Sequence, residues 1–215
     1  MKEWVDISLS PRFKGEEFYL TEFITTKGKM LEDIVKKYEG MSEKEKVWEL
    51  FKFVVENIKY PLRNAPQVAL LFVDTHVLFR HPLKPKLSFV LFDFWKFPYE
   101  TLRDGLGDCE DTSFLLCSLL RIAKVKAWAV LGRVIIDNVP YGHAWVEYYS
   151  SEYGSVILET TFESLDGFDS LEEYVEYERY VRDMYKPEIK FNESEVIVIK
   201  ESIIKELEKR FSNRR

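Results

Sequence analysis

The stretch from Thr101 to Thr161 constrains the fold most. A turn with two glycines, Thr101 to Asp108 (TLRDGLGD), runs into an apolar segment that opens on Cys109. In that segment Phe114, Leu115, Leu119, Ile122 and Ala123 recur at helical spacing, and Glu110 and Asp111 stand in the first turn, where acidic side chains complement the helix dipole. Three strand-like runs follow, 126–136, 142–149 and 155–161, with turn material at 137–141 and 150–154 between them. A helix followed by an antiparallel meander is an α+β arrangement.

The flanks are less patterned. Glu17 to Thr25 (EFYLTEFIT) has strand character, and Met30 to Tyr38 reads as a short helix closed by Gly40. Ser42 and Glu45 form an S-x-x-E capping box ahead of Val47, Leu50, Phe51, Val54, Val55 and Ile58, which predicts a helix ending at Tyr60-Pro61. Residues 61–93 are apolar and broken by prolines, and helix and strand fit them equally. Phe92 to Tyr99 (FDFWKFPY) is a dense aromatic run, either core or the wall of a cleft. Further on, helical spacing covers Ser170 to Met184 and Ser202 to Phe211, with a strand at Glu195 to Lys200. The expected organisation is an appendage at 1–40, a core at 41–165, and a helix-strand-helix tail at 166–215 packed on that core.

A chain of 215 residues can bury one sizeable core. The net charge of −6 and the scattered basic residues argue against nucleic acid as a partner. No apolar run reaches the roughly 18 residues of a membrane helix, and the first ten residues lack a signal-peptide core. The expectation is a cytoplasmic protein without a membrane partner. Cys109 and Cys117 lie on one predicted helix, about 12 Å apart along its axis, too far for a disulfide. Free thiols suit a reducing compartment. Abundant Lys and Glu beside a single glutamine, Gln67, is a heat-adapted composition.

The chemistry centres on Cys109. Free N–H groups and the positive dipole end at a helix start favour a thiolate, and the same groups can hold an oxyanion. Glu110 and Asp111 oppose ionisation unless they turn away or a cation offsets them. His143, at the opening of the middle strand, would supply that cation. The hairpin between the second and third strands centres near 151 or 152. The first centre sets Glu159 directly opposite His143, and the second makes them diagonal neighbours on one face. Either way a carboxylate lies within reach of the imidazole, which is what a nucleophile–base–orienter triad requires.

Gly107 to Asp111 (GDCED), Gly142 to Val146 (GHAWV) and Leu158 to Thr161 (LETT) together resemble the transglutaminase-like superfamily. Phe94 to Leu102 (FWKFPYETL) and Asn57 to Pro61 (NIKYP) are similar to its microbial branch of cysteine proteinases. The resemblance covers roughly 42–165. It implies a papain-like core with a Cys-bearing helix packed on an antiparallel sheet. It also implies Cys109 as nucleophile, His143 as base and Glu159 at the third position, where Asp is more usual. A second oxyanion donor is often an upstream side chain in such proteins, which makes Trp95 the candidate, with Gln67 and Tyr60 as alternatives.

The implied activity is acyl transfer on amide bonds through a thioester. Hydrolysis of a peptide or protein substrate is favoured, and transglutaminase-type cross-linking is the alternative. No metal or organic cofactor is required. A catalytically silent module that binds a protein is the competing class. A zinc site on the same three residues is weaker, because the metal would consume the thiolate and no fourth ligand is in view.

Overall fold

The computed structural model describes residues 8–9, 12, 16–60, 94–200 and 202–212. Strands β1 (Ser8–Leu9) and β2 (Phe18–Tyr19) form a small antiparallel ribbon. Helices α1 (Lys29–Lys36) and α2 (Glu43–Asn57) follow, then α3 (Pro98–Asp104) and α4 (Cys109–Ile122). The meander is β3 (Ala127–Ile136), β4 (Val139–Ser150) and β5 (Gly154–Leu158). Helix α5 (Leu171–Val181), strands β6 (Tyr185–Phe191) and β7 (Val196–Val198), and helix α6 (Ser202–Ser212) complete the order. The sheet runs β5-β4-β3-β6-β7, antiparallel throughout. The fold is α+β, with the Cys-bearing helix on the sheet.

Helix α4 is central because it is buried nearly all round. Every residue from Cys109 to Leu120 is buried, against β3 and β4 on one side and against α1, α2 and α3 elsewhere. Its start is set by local chemistry. Asp108 caps it by accepting the Asp111 amide, and Gly105, at φ 62°, ends the preceding helix in a left-handed conformation. Gly107 has no alternative either, since a Cβ there would lie 2.7 Å from that of Asp111. The Ser42 capping box forms as read, with Glu45 reaching back to the Ser42 amide at 2.8 Å.

Three expectations change. The strand read over Glu17 to Thr25 shrinks to Phe18–Tyr19, because Leu20–Phe23 winds into a 3-10 turn that buries Leu20 and Phe23. The turn read at 137–141 is only two residues long. Asp137 and Asn138 both take positive φ, 50° and 63°, and the twist of that tight turn lets β4 begin at Val139. Strand β6 was not anticipated. Pro187 argues against a strand, yet Tyr185–Phe191 pairs with β3 across an irregularity at Leu131/Gly132. The sheet therefore draws strands from both sides of residue 165. Residues 61–93, read as either helix or strand, lie outside the described residues.

Candidate active site

The three candidate residues come from the first turn of α4, from β4, and from the residue just past β5. The hairpin pairs Val146 with Leu158, so its centre is 152, and Glu159 stands diagonal to His143. His143 Nε2 and Glu159 Oε2 are 2.7 Å apart. The extra methylene of Glu suits the longer diagonal reach. The Glu159 carboxylate is saturated. Oε2 also accepts the Tyr185 hydroxyl at 2.8 Å, and Oε1 accepts the Thr161 amide and hydroxyl at 2.9 and 2.7 Å. Burial alone would raise its pKa, but the His143 and Thr161 hydrogen bonds outweigh burial and hold it below the usual glutamate value. With Nε2 directed at Glu159, the other ring nitrogen of His143, Nδ1, is left for the proton of a nucleophile.

Cys109 lies in the first turn of α4, which packs on the same strand, β4, and the Ala144 amide, next to His143, slightly favours its thiolate. Its own S–H does not point at His143. It donates to Glu110 Oε2 at 2.8 Å. Burial, then the charges of Glu110 and Asp108, push the thiol pKa well above its ordinary value. A helix start alone would lower the thiol pKa; in this arrangement burial and the turn of Glu110 toward the sulfur raise it instead. Glu110 itself is pushed up to about 8 by burial and by the charge of Asp108. Asp108 and Asp111 are raised as well, chiefly by burial. The Asp108 carboxylate accepts the Asp111 amide. Cys117, the second free thiol, is fully buried on α4, and burial raises its pKa too.

Trp95 is fully buried and lines a cleft together with Glu110, Gly142 and His143. The segment that carries it is tied down by Arg12, which donates to the Trp95 carbonyl at 2.7 Å and grips Glu100. Tyr60 is exposed and does not line the cleft. Gln67 lies outside the described residues. Arg133, Glu188 and three residues of α6 line the same cleft. Among the described residues, no group of three or more His, Cys, Asp or Glu side chains is arranged to hold a metal ion.

The sequence did not single out Tyr185, Thr161 or the contact between Glu110 and the thiol. Thr161 was readable as part of the L-E-T-T block. Tyr185 was hidden with the strand that carries it. Glu110 was read as a general opponent of ionisation rather than as the thiol's direct partner.

Residues 92–160 match the family model of the transglutaminase-like superfamily, over the segment that carries all four candidate residues. Residues 92–160 are thus similar to the transglutaminase-like superfamily, and they sit in an α+β fold. Solved structures that it resembles include a candidate cysteine protease from Cytophaga hutchinsonii, at 16% identity and a TM-score of 0.43. That match covers 66% of this chain and only 40% of the Cytophaga protein. Another is Legionella pneumophila LapG in an EGTA-treated form, at 17% identity and a TM-score of 0.40, covering 83% of this chain and 96% of LapG. No curated protein matches the sequence. Among the described residues, no helix is long and apolar enough to cross a membrane.

Proposed function

We propose that the protein is a thiol-dependent amide hydrolase in which Cys109 attacks, His143 carries the proton and Glu159 orients His143. The observation that carries this reading is the His143–Glu159 contact at 2.7 Å. The reaction begins when Glu110 releases the thiol. The S–H proton passes to His143 Nδ1, and the sulfur bonds to the amide carbon, leaving its electrons on oxygen. The Cys109 amide and the Trp95 indole are the proposed donors to that oxygen. Collapse breaks the C–N bond, and His143 returns its proton to the departing amine. Water, deprotonated by His143, then cleaves the thioester and restores the thiol. The substrate is a peptide or protein. An amine in place of water would complete a cross-link instead.

The protonated, Glu110-bound thiol supports a second reading, a silent binding module. One measurement separates the two, the pH dependence of Cys109 alkylation by iodoacetamide, followed by mass mapping. For the enzyme, a fraction of Cys109 reacts below pH 7 and loses that reactivity in His143→Ala. A thiol that reacts only in the alkaline range, with the same profile in His143→Ala, removes the hydrolase reading.

A further inference from the structure

The cleft beside His143 is closed off by a helix of the chain itself. Helix α6 buries Ile203 and Leu207 there, at 8% and 3% exposure, and extends Glu206 to the Arg133 guanidinium. Arg133 pairs across the β3–β4 ladder with Gly142, so it is the charged residue beside the register position of His143. Its second partner is Glu188, buried, at 3.1 Å. Glu188 Oε1 is shared, because Lys200 also donates to it at 3.0 Å. Among the described residues the local charges are two cations, Arg133 and Lys200, and two anions, Glu188 and Glu206. Glu188 is buried in the wall, whereas the Glu206 side chain is 56% exposed and rides on the helix. Lifting α6 takes Glu206 from Arg133 and carries Lys200, whose carbonyl accepts the Ile203 amide, away with the helix, so the guanidinium keeps Glu188 alone and can take a second carboxylate.

We propose that α6 occupies the substrate cleft as a built-in stand-in for a substrate segment, and that Arg133 reads an acidic side chain in the peptide that replaces it. The pattern that α6 presents, aliphatic at 203 and 207 with an acid at 206, is then the class of sequence the cleft accepts. This rests on the hydrolase reading above and narrows its substrate.

The test compares alkylation of Cys109 by iodoacetate, which is anionic, and by iodoacetamide, which is neutral, in the full chain and in its Glu206→Gln and Arg133→Gln variants. Both substitutions cut the tie that holds α6, so both should raise the iodoacetamide rate. They should move the iodoacetate-to-iodoacetamide ratio in opposite directions. Glu206→Gln frees the Arg133 charge and raises the ratio about two- to fivefold, and Arg133→Gln lowers it below that of the parent, as expected for one charge several ångströms from the reagent. A synthetic peptide with the sequence of Ser202 to Ser212 should slow alkylation of Glu206→Gln and should do so less well against Arg133→Gln. Folding of each variant is checked by its thermal transition, and Glu206→Gln alters only an exposed side chain. Equal ratios in all three proteins, with Cys109 reacting, overturn the proposal and leave the hydrolase reading intact. Cys109 inert to both reagents in every folded variant overturns the hydrolase reading and this proposal with it.

Discussion

At the scale of single residues, the site is decided by two carboxylates with opposite environments. Glu159 is saturated by four donors and held anionic, whereas Glu110 is buried next to Asp108 and drawn onto the thiol. Removing the charge of Glu110 should therefore favour the thiolate. Glu110→Gln is expected to raise the iodoacetamide rate of Cys109 by about tenfold at pH 9, where the Glu110 carboxyl has lost its proton, the equivalent of one pKa unit. An unchanged rate would mean that burial alone sets the thiol pKa. Glu159→Gln should act the other way. The amide replaces an acceptor that serves both His143 and Tyr185, so one donor is left facing a donor. A loss of about a hundredfold or more in amide hydrolysis is expected, with little change in KM, because the group orients the base rather than the substrate.

At the scale of elements, the meander is positioned by the close approach of β6. Gly132 on β3 faces the Lys186 carbonyl, and a Cβ there would collide with it and come within 2.7 Å of the Trp145 ring. Gly132→Ala is expected to cost about 2–4 kcal/mol, measured by denaturant unfolding, since backbone must shift to admit the methyl group. The same shift would move β6 and with it Tyr185, so hydrolysis should fall even where the variant stays folded. A cost under about 0.5 kcal/mol would show that β3 and β6 separate easily. The meander was legible because turn residues and β-branched runs are local signals. Strand β6 was not, because its pairing with β3 depends on a partner more than fifty residues away and on an irregularity that accommodates Pro187.

At the scale of the whole molecule, the two carboxylates predict the shape of the stability profile. A glutamate whose folded pKa is raised keeps its proton while the unfolded chain has lost it. Glu110 therefore withdraws stability as pH rises from about 4, near the unfolded value, to about 8. Asp108 and Asp111, raised in the same sense, add to that decline. Glu159 is depressed, so its stabilisation is present above the unfolded value and is lost as pH falls through the folded one. The Tm is expected to peak near pH 4–5 and to decline on both sides. Glu110→Gln should gain about 3 °C or more at pH 8 and little at pH 5. Glu159→Gln should flatten the acid arm. A Tm that rises steadily from pH 5 to 8 would contradict the protonated Glu110.

The sequence by itself determined the order of helix and meander, the capped start of α2, the placement of Cys109 at a helix start, and the neighbourhood of His143 and Glu159. Each of these follows from residues close in the chain, through caps, turns and the fixed arithmetic of a hairpin. Only the tertiary structure decided the hairpin's register, the insertion of β6 beside β3, the turn of Glu110 onto the thiol, and the seat of α6 across the cleft. Those depend on which distant surfaces meet and on how burial reweights a charge, and the local pattern is the same whichever way they fall.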